Sequence, residues 1–144
     1  MTSSIDPGLL AIYEAWHATV CAGDLAATAA LYAEQAVFET PLVLAIYPDH
    51  GSGVLVGRGV IQRFMEDSKR RFPNDLAEWY RSDKAFINGR NLTWEYPRKT
   101  PTGEQVDLME MMEIENGLIT CHRVYWGWYG VRLLAPVLAK ARAL

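Results

Sequence analysis

The stretch NGRNLTWEYPRKTPTGEQVDLMEMMEIENGLITCHRVYW, residues 88–126, decides the fold. Asn88-Gly89 and Asn116-Gly117 are each flanked by apolar or β-prone residues, the strongest short-range signal for a hairpin. Between them, Thr100-Pro101-Thr102-Gly103 fits a type I turn with Pro at its second position and a left-handed Gly closing a bulge. Three hairpins therefore connect four antiparallel strands, near residues 76–87, 90–99, 105–115 and 118–128.

Turn geometry also sets the faces of the sheet. A three-residue loop, Pro101-Thr102-Gly103, pairs Trp94 with Glu110 and Tyr96 with Leu108. Leu92, Trp94, Tyr96, Leu108, Glu110 and Met112 then share one face. Thr93, Glu95, Met109 and Met111 share the other, a Met-bearing surface that is a candidate homodimer interface.

Upstream of the strands the pattern is helical. Asp6 caps a first helix, Pro7 suits its first position, and Leu9, Tyr13, Trp16 and Val20 recur at helical spacing. Gly23 ends it. Asp24 caps a second helix in which Leu25, Ala29 and Tyr32 share a face. A third opens after Gly57-Arg58-Gly59, with Ile61, Phe64, Ser68 and Phe72 as its inner stripe and Pro73 as its stop. A short strand near 36–44 precedes an irregular stretch, 45–56. The tail from Gly130, with Pro136 near its start, reads as a short helix. Helices followed by an antiparallel meander make an α+β order.

Bulk properties narrow the partners. A length of 144 residues suits one domain, 1–144, and a net charge of −3 gives no electrostatic reason to expect nucleic acid or an anionic membrane. No signal peptide or membrane span is expected. Cys21 and Cys121 read as buried cytoplasmic thiols. His17, His50 and His122 are unclustered and HExxH is absent, so neither metal nor cofactor is expected.

Glu110 is the anomaly of the strand region. A carboxylate among Leu108, Met112, Trp94 and Tyr96 must be paired, hydrogen-bonded or protonated. Two readings compete. A two-residue turn at Asn116-Gly117 places Arg123 opposite Glu110, making a structural ion pair. Alternatively, Glu110 is a functional acid whose neutral form donates a hydrogen bond.

Several segments together resemble the bacterial ketosteroid isomerases of the nuclear transport factor 2-like superfamily, which also holds SnoaL-like proteins. They are Tyr13, Ala22-Gly23-Asp24, Leu31-Tyr32-Ala33, the run from Ala36 to Pro41, Gly57 to Ile61 with Phe64, Val106 to Met112, and Arg123 to Gly127. The resemblance implies a cone-shaped curved sheet wrapped around a long N-terminal helix, with two further helices and a short C-terminal one. It also implies an apolar, aromatic-lined cavity.

Carried over position by position, the resemblance puts the family's oxyanion-hole acid at Glu110, its oxyanion-hole tyrosine at Trp16 and its general-base aspartate at Thr40. Tyr32 matches a supporting tyrosine, and Trp126 a cavity-lining aromatic. Threonine cannot abstract a proton unaided, so a steroid-type proton shuttle lacks its base here. The likeness to limonene epoxide hydrolases is poorer, because the Asp of their last strand falls on Val124. The resemblance also turns His122, Val124 and Trp126 inward, against the turn-derived pairing, unless a bulge shifts the last strand.

The candidate catalytic residues are therefore Glu110, His122 and His17. Tyr13, Trp16, Tyr32, Thr40, Trp94, Tyr96, Met112 and Trp126 are candidate substrate-binding residues. His17 and Tyr13, one turn apart, could present a base and a hydroxyl, though a satisfied core histidine explains His17 as well. Asp83 falls opposite Trp94 if Asn88-Gly89 is a two-residue turn. Glu39 reads as a surface or ion-pair residue. The expected function is a cofactor-independent acid–base enzyme acting on a hydrophobic small molecule, of isomerase, dehydratase, epoxide hydrolase or cyclase type. The alternatives are a non-catalytic binding module of the same fold and a structural dimer with a filled core.

Overall fold

The computed structural model describes residues 7–72, 85–99 and 105–141. Asp6, Pro73, Asp83, most of the expected first meander strand and the Thr100–Glu104 turn lie outside them. Helix α1 spans Pro7–Ala22 and buries Leu9, Ile12, Tyr13, Trp16 and His17. It ends where expected: Gly23 takes φ +70°, a left-handed value that glycine adopts without steric cost. The Asp24 carboxylate then accepts from Ala27 N–H at 3.0 Å and opens α2, Leu25–Ala29.

Tyr32 is not on α2. It is the first residue of β1, Tyr32–Glu39, which starts earlier than the sequence pattern indicated. The stretch read as irregular begins inside α3, Leu42–Ile46, and closes with β2, Val54–Val56. Helix α4, Arg58–Arg71, follows Gly57 at φ +104° and buries Ile61 and Phe64. Phe72, expected on the same stripe, is instead exposed past the helix end.

The strands β3 (Ala85–Asn88), β4 (Asn91–Lys99), β5 (Gln105–Glu115) and β6 (Leu118–Trp126) form the meander. Strand β6 stops two residues short of the expected 128, because Gly127 opens helix α5, Trp128–Leu138. Pro136 therefore falls near the end of that helix, not its start. The sheet order is β2-β1-β6-β5-β4-β3, curled and unclosed. All neighbours are antiparallel except β1 and β6, which run parallel. The inner face packs on α1: Trp16 and Trp94 meet edge-on at 5.2 Å between ring centroids.

Two turns differ in detail. Asn116 and Gly117, at φ 52° and 75°, form the expected two-residue loop with both residues left-handed. At the other hairpin Asn88 pairs with Asn91, so the loop is Gly89-Arg90. That shift places Ala85 opposite Trp94 and removes Asp83 from that position. The cysteines also depart from expectation, Cys21 being exposed and Cys121 partly so.

Candidate functional site

The β4–β5 register is the expected one, with Trp94 opposite Glu110 and Tyr96 opposite Leu108. The β5–β6 register changes along its length. Ile114 pairs with Ile119, but Glu113 pairs with Cys121, so Thr120 is an extra residue on β6. Its hydroxyl donates to the Glu113 carbonyl at 3.2 Å, tying the bulge to the neighbouring strand. Beyond it Glu110 lies opposite Val124, and Met112 opposite His122.

This one-residue shift decides what Glu110 meets. Arg123 turns outward, where its guanidinium donates to Glu39 at 3.2 Å near the surface. The Glu110–Arg123 pair is thereby excluded, and Glu39 is the ion-pair residue expected. His122 turns inward, and its Nε2 bonds the Glu110 carboxyl. Both are almost completely buried, at 1% and 3% exposure.

The pair continues into a chain. His122 Nδ1 lies 2.7 Å from the Tyr32 hydroxyl, which accepts from the Trp16 indole N–H at 3.3 Å. The direction of these bonds follows from the groups themselves. An indole N–H can only donate, so the Tyr32 hydroxyl accepts from Trp16 and keeps its own proton available for His122 Nδ1. When Tyr32 donates there, a neutral imidazole has its proton on Nε2, toward Glu110. Trp16, Tyr32, His122 and Glu110 are thus joined in one buried chain. Burial holds the Tyr32 hydroxyl far above the usual phenol range, so it stays protonated.

Both ring nitrogens of His122 are occupied, which leaves its imidazole no lone pair for direct contact with a substrate. The ring is also boxed in: Phe38 meets it edge-on at 4.8 Å and Trp16 at 5.9 Å. Phe38 was not among the sequence candidates. Its alternation with Ala36 and Thr40 along β1 was the signal that marks it as inward.

A second group forms around Trp94. His17 and Tyr13 lie 4.1 Å apart between ring centroids, and both contact Trp94, at 5.3 and 5.2 Å. His17 Nδ1 is 2.7 Å from the Tyr13 carbonyl, so Nδ1–H donates there and Nε2 is the basic nitrogen of the neutral ring. Thr40 lies farther along the same inner face, 2% exposed, and its Oγ1 accepts from the Trp126 indole N–H at 3.1 Å. Met112 is fully buried beside His122. Tyr96 belongs to β4 by its backbone pairing, and its side chain lies outside the description. Among the described residues no His, Cys, Asp or Glu cluster could hold a metal ion.

Residues 11–122 match the SnoaL-like domain family, and the chain belongs to it. No functionally curated protein matches. Solved structures share the fold at low identity. One is a putative ketosteroid isomerase from Kribbella flavida, 19% identical over 84% of this chain and 78% of that one, with a TM-score of 0.63. Another is a putative polyketide cyclase from Sinorhizobium meliloti, 17% identical over 79% and 93%, with a TM-score of 0.62. TerC, solved as co-crystals with polyporic acid, is 12% identical over 90% and 98%, with a TM-score of 0.67. The family and the nuclear transport factor 2-like cone agree with the resemblance read from the sequence. No helix among the described residues is long and apolar enough to cross a membrane.

Proposed function

We propose that this protein is an acid–base enzyme that moves a proton on a hydrophobic small molecule, with Glu110 as the group that exchanges it. The observation that carries the reading is the buried hydrogen-bond chain that joins Trp16, Tyr32 and His122 to the Glu110 carboxyl. In this reading Glu110 serves first as base, where the sequence alone offered it as acid. It takes a proton from a carbon beside a carbonyl, and the electron pair of the broken C–H bond moves to the carbonyl oxygen. The resulting Glu110 carboxylic acid returns the proton to the same or a conjugated carbon. His122 acts as a positioning residue, because it reaches a substrate only through Glu110. Trp16, Tyr13, Trp94 and Trp126 supply apolar walls.

The test needs no natural substrate. 2-Tetralone in D2O exchanges the hydrogens beside its carbonyl, which NMR follows directly. The wild-type protein is expected to accelerate exchange, and Glu110→Gln to lower the catalysed rate by at least about 100-fold. Unchanged exchange in Glu110→Gln would remove Glu110 from this role. Binding of 2-tetralone without any exchange would favour the second reading, a binding module without chemistry. That reading draws support from Thr40 and Trp16, which stand where the resemblance expects a base and a tyrosine.

The same reading includes a homodimer formed through the outer sheet face. Phe86, Met109 and Tyr125 are 69%, 44% and 53% exposed there, an apolar area suited to burial between copies.

A further inference from the structure

The hydroxyl of Thr40 is fully used on one side and unused on the other. Its oxygen accepts from Leu42 N–H at 3.3 Å and from the Trp126 indole at 3.1 Å. A hydroxyl has two lone pairs and one proton, so both acceptor positions are taken and the O–H remains to donate. No group among the described residues accepts it, although the residue is only 2% exposed. Buried donors are rarely left in that state without a reason.

The position of this donor gives the reason. Phe38 pairs with His122 and Glu39 with Arg123, so one further step brings Thr40 beside Val124. Val124 in turn lies opposite Glu110. Thr40, Val124 and Glu110 therefore form one row across the inner face, with the two polar residues two strand spacings apart, about 10 Å along the sheet. Val124 and Trp126 point inward yet are only half-buried, unlike His122 deeper in the cone. Half-buried apolar side chains thus lie between a donor at one end and an acceptor at the other.

We propose that Thr40 donates its hydrogen bond to an acceptor oxygen of the ligand, and that the site selects flat, hydrophobic carbonyl compounds on this basis. Such a ligand lies over Val124, with Trp126 held as a wall by its own bond to Thr40. This acceptor oxygen faces Thr40, and the remote end, which in a substrate carries the reacting C–H and its own carbonyl, faces Glu110. The inference rests on the small-molecule reading of the site, but not on catalysis by Glu110.

The probes are 9-fluorenone and fluorene, two molecules of nearly one shape, only the first of which carries an acceptor oxygen. Fluorenone has no hydrogen beside its carbonyl, so binding is measured without turnover. Equilibrium dialysis gives the affinity ratio. The ratio of fluorenone to fluorene affinity is expected to fall about five- to tenfold in Thr40→Val and to persist in Thr40→Ser. The fluorenone C=O stretch should shift to lower frequency on the wild type and Thr40→Ser, and not on Thr40→Val. Thr40→Val also loosens Trp126, but that affects both probes alike and leaves the ratio unmoved. An equal ratio in wild type and Thr40→Val, or failure of the wild type to bind either probe, overturns the proposal. In Glu110→Gln the ratio should persist even where exchange of 2-tetralone is lost, which separates this donor from the catalytic reading.

Discussion

The hydroxyl of Tyr32 lies 2.7 Å from Nδ1 of His122, and among the described residues Tyr32 has no other acceptor for its proton. Donation from Tyr32 would set the tautomer of His122, and through it the group that Glu110 meets. Tyr32→Phe removes the hydroxyl that both the Trp16 N–H and His122 Nδ1 bond in the buried chain. The expected cost is about 1–3 kcal/mol by urea denaturation. Nitrogen NMR of the His122 ring should show the proton confined to Nε2 in the wild type and shared between both nitrogens in the variant. An unchanged ring spectrum would mean that Tyr32 does not set the tautomer.

The Glu110–His122 pair should behave as a unit. His122→Leu removes the imidazole that meets the buried Glu110 carboxyl, and about 3–5 kcal/mol of stability should be lost. Adding Glu110→Leu to that variant removes the buried carboxyl as well and should restore most of the loss. Glu110→Gln, which keeps an oxygen to accept from Nε2–H, should cost much less than His122→Leu. A double-mutant cycle on thermal or urea unfolding measures the coupling, and additive losses would contradict it.

Gly130 brings α5 close against the sheet. A Cβ there would stand 2.5 Å from the Trp126 ring and 2.9 Å from Val106 Cγ1. Helix propensity alone favours Gly130→Ala by about 1 kcal/mol. Overpacking against a ring and a branched side chain should outweigh it, giving a net loss of about 1–2 kcal/mol. The variant should also shift Trp126 emission, because its bond to Thr40 is disturbed. A stabilised variant would show that α5 can move away without cost.

Alkaline stability should carry a tyrosine signature. Tyr47 donates to Asp67, and burial together with that bond pushes its hydroxyl from 10.0 up to about 12. A raised folded-state value means the unfolded chain releases the proton first as pH rises. The contribution is therefore complete below pH 10 and lost between about pH 10 and pH 12. Tyr47→Phe should flatten the fall in stability across that window, measured by denaturation at stepped pH. Asp67, held below the usual carboxylate range chiefly by the same bond, works in the opposite direction at low pH. Its contribution is present above about 3.8 and is lost as pH falls below that.

The outer face offers a direct test of association. Tyr125→Asp places a charge within the exposed apolar area, beside Met109, and should convert a dimer to a monomer. Sedimentation equilibrium over a range of concentrations reads this without reference to activity. A wild type that remains monomeric at high concentration would remove the dimer.

The sequence revealed most of what depends on local chemistry. The β4–β5 register followed from one Pro-Thr-Gly turn, and the caps of α1 and α2 from Gly23 and Asp24. Five apolar residues, Leu42–Ile46, are too few to display a helical period, so α3 was not legible. The Gly89-Arg90 loop was missed because Asn88 extends its strand by one residue instead of entering the turn. Each member of the buried chain was named separately, but their connection depends on Thr120. A bulge is a property of the pairing between two strands, and no residue in either strand announces it. Only the resemblance pointed to the facing that places His122 inward.

The extra residue at Thr120 therefore has a meaning beyond the local bend. Were Thr120 paired in register instead of bulged, the side chain opposite Glu110 would be a permanently charged guanidinium, that of Arg123. With Thr120 bulged out, Arg123 is turned to the outer face and the imidazole of His122 meets the carboxyl instead. Which side chain the interior of this cone sets against Glu110 is decided by how two strands pair, not by the identity of any residue that touches the carboxyl.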